Sequence, residues 1–123
     1  MMTRKEALAE LIATLEAGTP YETMGHTMMC QQAFPKPDDF DGSREAYLNS
    51  AAQMAILAWR NDDLNAAKSL HEKTLLGWGY EICCGGEVTL RQYHNKIFIK
   101  GETPARAWLL AILRALHSMG PDP

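Results

Sequence analysis

Apolar residues recur along this chain with two periods, and the change from one to the other near residue 76 divides the molecule. Before it, Leu8, Leu11, Ile12 and Leu15 share one side of a 3.6-residue repeat, which predicts an amphipathic helix. Thr3 with Glu6 is a capping-box start for that helix, and Gly18 is its stop. Thr19-Pro20 with Glu22 repeats the start signal and predicts a second helix through about Gln32, with Met24 and Met28 on one side. Pro35 and Pro37, followed by Asp38, Asp39, Asp41 and Gly42, predict an acidic loop around Phe40. Ser43 is placed to cap a third helix, rich in alanine and methionine, that runs to about Trp59. Asn61 is placed to cap a fourth, which carries Leu64, Ala67, Leu70, His71 and Leu75 before Gly77.

Beyond Leu76 the period falls to two. Trp78, Tyr80, Ile82 and Cys84 alternate with Gly79, Glu81 and Cys83; Val88 and Leu90 follow Gly85-Gly86, and Ile97 and Ile99 follow His94-Asn95-Lys96. This is the pattern of three short antiparallel strands. A three-residue Gly85-Gly86-Glu87 loop sets Cys84 opposite Val88 and Ile82 opposite Leu90, and a His94-Asn95 turn sets Leu90 opposite Ile99. One face then holds Tyr80, Ile82, Cys84, Val88, Leu90, Ile97 and Ile99. The other carries Glu81, Cys83, Thr89, Arg91, Tyr93, Phe98 and Lys100. Thr103-Pro104 starts a last helix, whose stripe of Ala105, Leu109, Ile112, Leu113 and Leu116, widened by Trp108 and Ala115, suits it to cover the apolar sheet face until Gly120-Pro121.

These elements predict an α+β fold: a layered α/β/α sandwich with a small three-stranded antiparallel sheet, N-terminal helices and a long C-terminal helix. A chain of 123 residues is expected to form a single domain, with a helical part over 1–61 and a helix-sheet-helix part over 62–118.

A formal net charge of −3 argues against direct nucleic-acid binding by phosphate neutralisation. Residues 1–42 are acidic and the stretch from Trp78 onward is slightly basic, which allows self-association or an anionic small ligand, although a solvated surface explains the asymmetry more simply. With no apolar run long enough to span a bilayer and no signal-like start, the expectation is a cytoplasmic chain without a membrane partner. Three cysteines without a CxxC spacing fit a reducing compartment.

Candidate chemistry is sparse. Cys83 and Cys84 are neighbours on a strand and face opposite ways, so they do not jointly bind zinc. His71-Glu72 lacks the second histidine of a zinc-protease helix, because Leu75 stands there. His26 and Cys30 are four apart on a predicted helix, a permissive spacing for a metal-assisted enzyme, but the reading preferred is no metal, no cofactor and no catalytic residue. The mixed sheet face is the better candidate. Arg91 and Lys100 supply charge for a phosphate or carboxylate, Tyr93 and Phe98 supply flat surfaces, Glu81 accepts from an amine or ribose, and Arg106 opens the next helix, whose N-terminus favours anions. A plainer reading of the same residues is a half-exposed face with an Arg91–Phe98 cross-strand pair and a Glu81–Lys100 charge pair.

Four segments together resemble a small phage and prophage family described as phage ABA-sandwich domain proteins: Asp63-Leu64-Asn65-Ala66-Ala67, Leu76-Gly77-Trp78-Gly79-Tyr80-Glu81-Ile82, Glu102-Thr103-Pro104-Ala105-Arg106-Ala107 and Ala111-Ile112-Leu113-Arg114-Ala115-Leu116. The resemblance covers residues 62–118, with Thr3 to Leu15 similar to the family's opening helix. The chain departs in its Ser43–Trp59 segment and in Glu102, where members often have alanine. The family has no established general activity, but small phage proteins of layered fold include ones that sequester cyclic nucleotide signals. The resemblance therefore implies a non-catalytic phage or prophage accessory protein, a homo-oligomer that counters host defence by holding an anionic nucleotide-like signal. The alternative is an inhibitor that engages a host protein through Asp38, Asp39 and Phe40 on the acidic loop.

Overall fold

The computed structural model describes residues 3–22, 24–36, 40–83 and 86–119. Its elements, in order, are α1 (Arg4–Glu16), α2 (Met24–Ala33), α3 (Arg44–Leu48), α4 (Ala51–Arg60), α5 (Leu64–Thr74), β1 (Gly79–Cys83), β2 (Glu87–Gln92), β3 (Asn95–Lys100) and α6 (Pro104–Ser118). This is an α+β fold with a three-stranded antiparallel sheet, order β1-β2-β3, and a long C-terminal helix. The expected stop at Gly120-Pro121 lies outside the described residues.

The helices follow their caps. At α1 the capping box is complete: the Thr3 hydroxyl accepts from the Glu6 N–H at 3.1 Å, and the Glu6 carboxylate accepts from the Thr3 N–H at 3.3 Å. The second helix begins at Met24, five residues after Thr19, because the preceding segment is used otherwise. The buried Trp59 indole N–H donates to the Thr19 carbonyl at 3.0 Å, and the Tyr21 ring meets Trp59 edge-on at 5.2 Å. The predicted third helix is two helices. Ser50 caps α4 by accepting from the Gln53 N–H at 3.2 Å, two residues after α3 ends at Leu48. Asp63 rather than Asn61 caps α5, accepting from the Ala66 N–H, while Asp62 takes a left-handed φ of 52°.

Both hairpins close one residue earlier than expected. Ile82 pairs with Val88 and Tyr80 with Leu90, so the ladder closes at Cys83 with Glu87; Cys84 and Gly85 lie outside the described residues. Leu90 pairs with Ile97 and Val88 with Ile99, so the turn is Tyr93-His94, with Tyr93 at φ 52°. Each register is displaced by two, which leaves the side chains of the described strand residues on their expected faces, while Tyr93 moves from the strand into the turn.

α6 is the centre of the molecule. Its residues from Ala107 to Leu113 are all buried. One side takes the sheet's apolar face, Val88, Leu90, Ile97 and Ile99 of β2 and β3; the others take α1, α4 and α5 through residues such as Leu8, Leu11, Trp59 and Leu70. The helices α1, α2, α4 and α5 gather behind α6 instead of covering the second sheet face, because α6 buries residues all round and itself supplies the surface they need. On that second face Glu81, Cys83, Arg91, Phe98 and Lys100 are exposed, and Thr89 at its middle is buried among them. Among the described residues, no helix is long and apolar enough to cross a membrane.

Candidate functional site

The sheet's outer face places the predicted ligand residues in three groups. Glu81 and Arg91 approach each other at 3.9 Å across β1 and β2, both well exposed. This ion pair replaces the expected Glu81–Lys100 and Arg91–Phe98 pairs, since the shifted register sets Lys100 opposite Glu87 and Phe98 opposite Thr89. Tyr93, 96% exposed, stands on the turn away from them. The structure brings together the remaining three, Phe98, Lys100 and Arg106.

These three border a groove between α1 and the free side of β3. Its floor is α6. One cavity of about 630 Å3 is lined by Leu15, Phe98, Lys100, Arg106, Leu110 and Arg114. An adjoining one of about 680 Å3, which shares Glu16, Phe98, Ile99 and Arg114 with it, runs past Ile12, Lys96 and Trp78. Both volumes fall in the range of ligand sites. Lys96 and Arg114 are lining residues that the sequence reading did not single out. The signals for them were present: Lys96 repeats the alternation that carries Phe98 and Lys100, and Arg114 is the one charge inside the apolar run from Ala107 to Leu116.

The cations differ in what they are free to do. Arg106 is held on three sides, at 3.1 Å from the Asp62 carboxylate, 3.4 Å from that of Glu102, and donating to the Trp59 carbonyl at 3.2 Å. It ties the start of α6 to the α4–α5 junction. At the α6 N-terminus the Arg106 N–H is already taken by the Thr103 hydroxyl at 3.2 Å and Pro104 has no N–H, which reduces what the helix start offers an anion. Arg114 pairs with Glu16 and links α6 to α1 across the groove floor. Lys96 and Lys100 make no ion pair among the described residues and are exposed on either side of Phe98, itself 56% exposed.

Other candidates resolve into structure. Cys30 is fully buried, and desolvation pushes its thiol up to about 12. His26 lies against the Trp59 ring at 4.7 Å and accepts from the Glu22 N–H through Nδ1. No group of three or more potential metal ligands exists among the described residues. His71 is buried with both nitrogens engaged: Trp108 Nε1 donates to Nδ1 at 3.2 Å, and Nε2 lies 2.8 Å from the Trp78 carbonyl. This arrangement fits the Nε2–H tautomer and makes the ring a brace between α5, α6 and the start of β1. On the acidic loop Asp38 and Asp39 lie outside the described residues, while Phe40 is partly exposed under the Lys36 ammonium, 5.0 Å from its ring centre. Nearby, Phe34, Pro35, Tyr47, Ala51 and Ala52 line a smaller cavity of about 310 Å3. No protein-family model matches the chain, and neither a curated protein nor a solved structure gives a match.

Proposed function

We propose that this is a non-catalytic binding protein that holds an anionic ligand in the groove between α1 and β3. The observation that carries the reading is the lining of one groove by an exposed ring, Phe98, with Lys96 and Lys100 beside it and Arg106 and Arg114 behind them. Charge gives such a site its sign, and the ring and the aliphatic floor give it adhesion. The nucleotide-like class expected from sequence fits the size of the groove. Against a phosphate site stands the pairing of both arginines with carboxylates, which leaves the two lysines as the cations on offer.

A phage or prophage origin, a role against host defence and a bacterial cytosolic setting belong to the same proposal, supported by the sequence resemblance. Homo-oligomeric assembly belongs to it too, with exposed Met24, Met28 and Leu76 as apolar surface for it. The alternative, a host-protein inhibitor acting through the acidic loop, draws support from the apolar cavity beside Phe34 and Tyr47. Thermal melts with cyclic nucleotides, ADP-ribose and an acidic peptide separate the two. A ligand-dependent rise in Tm that Lys96→Ala/Lys100→Ala abolishes supports the groove. An effect lost instead on deleting residues 37–41 favours the loop.

A further inference from the structure

β3 is an edge strand, and the direction of its unpaired backbone groups follows from the ladder. Gly101 N–H donates to the Gly86 carbonyl at 3.0 Å, and Ile99, Ile97 and Asn95 pair with Val88, Leu90 and Gln92 in the same phase. In an antiparallel ladder alternate residues turn their N–H and C=O groups toward the partner and the rest turn theirs away. Lys96, Phe98 and Lys100 are therefore the residues whose backbone groups face the free side. These are the residues that border the groove, and none of them makes a further hydrogen bond among the described residues.

Resting on the anionic-ligand reading, we infer that the groove's ligand is an extended acidic peptide of a partner protein, bound as a fourth strand against β3. The backbone of such a peptide meets the free N–H and C=O groups of Lys96, Phe98 and Lys100. Its inward side chains settle on the α6 floor beside Leu110 and against Ile12 and Leu15 of α1. Its outward side chains lie next to Lys96, Phe98 and Lys100, so the complementary pattern is acidic, apolar, acidic at alternate positions. A strand of five residues spans about 17 Å, comparable with β3 itself.

Charge selects this occupant over a second copy of the chain. Two β3 strands paired antiparallel about Phe98 would set Lys96 of each against Lys100 of the other, and like charges directly opposite destabilise a pair. A β1 strand from another copy offers only Glu81 on its outer face, between Gly79 and Cys83. An acidic strand neutralises both lysines.

The test uses the full chain and a capped pentapeptide with glutamates at its ends, tyrosine in the middle and leucines between them. A second peptide is identical except for N-methyl groups on the residues whose amides would face β3. The expected result is binding of the first peptide, at least ten-fold weaker binding of the second, and new protection from hydrogen exchange at the amides of Lys96, Phe98 and Lys100. Lys96→Glu/Lys100→Glu should lose the acidic peptide and gain the version with lysine ends. Equal binding of both peptides, or binding without protection at those amides, overturns strand addition while the anionic-ligand reading stands. Binding of a cyclic nucleotide with none of the peptide has the same effect. Protection of the edge amides in the free protein at high concentration overturns it in favour of a second copy. Neither peptide nor nucleotide binding removes both proposals.

Discussion

Cys30 shows what burial does to a residue that sequence spacing offered as a ligand. Its thiolate would be formed inside the core, so the thiol is pushed up to about 12 from an ordinary 9.0, with desolvation as the cause. A folded-state value raised above the unfolded one gives stability that is intact below pH 9 and lost as pH rises toward 12, because the unfolded chain releases the proton first. Tyr21 is raised too, chiefly by burial and then by Cys30, and contributes in the same direction. Wild type should therefore lose more stability between these pH values than Cys30→Ala, in which only the part of the tyrosine contribution that comes from burial remains; urea titrations across that range check it. In a Cys83→Ser/Cys84→Ser background, Cys30 should also resist alkylation at about pH 8 until the protein is unfolded, since the thiolate is the reacting species. Equal alkaline slopes or rapid labelling would refute the account. The sequence showed His26 and Cys30 four apart, but not that one lies under Trp59 and the other inside the core.

At the scale of elements, the signals that were local were legible and those set by tertiary contact were not. Thr3 with Glu6 and Thr103 with Pro104 cap their helices as read, because every participating atom lies within one turn. Ser50 and Gln53 have the same spacing as a capping box, a signal hidden inside an alanine-rich stretch that also reads as continuous helix. The start of α2 was not local at all, since Thr19 is claimed by Trp59 forty residues away. The faces of the sheet were legible and its exact loops were not, because a register displaced by two leaves alternation unchanged. What fixes the first hairpin is Gly86, at φ 82°, where an added Cβ would lie 2.6 Å from the Gly101 carbonyl oxygen. Gly86→Ala should cost about 1 to 3 kcal/mol from left-handed strain alone, and more with the clash. Gly42→Ala supplies the comparison, since Gly42 has φ 76° and nothing within 4 Å of an added Cβ. Chemical denaturation should show Gly86→Ala well below Gly42→Ala; equal losses would mean that the hairpin yields to the clash without cost.

For the whole molecule, the decisive fact is that, among the described residues, α6 packs on α1, α4, α5, β2 and β3, while the main helical partner of the sheet is α6. The outer sheet face is left largely exposed because α1, α4 and α5 find their partner in α6. That Phe98 and Lys100 face outward together was legible from alternation alone, whereas the place of Arg114 depends on α1 meeting α6 and Arg106 is drawn aside by Asp62 and Glu102. The open face brings with it an edge strand with three unpaired residues, a standing invitation to aggregation that proteins counter with charge, above all lysine. Lys96 and Lys100 occupy the outward positions on either side of Phe98, so they guard the edge whether or not they also recruit a ligand. Replacing both with valine removes the repulsion between two such edges, raises the β propensity of β3 and leaves Phe98 in an apolar row. The double variant should keep the fold, since both side chains are exposed, yet self-associate as concentration rises through β3 pairing. Light scattering coupled to size exclusion would follow the change in mass, and Lys96→Glu/Lys100→Glu should remain as dispersed as wild type because like charge is preserved. A valine variant that stays the same size as wild type at every concentration would show that the edge is guarded by something other than its two lysines.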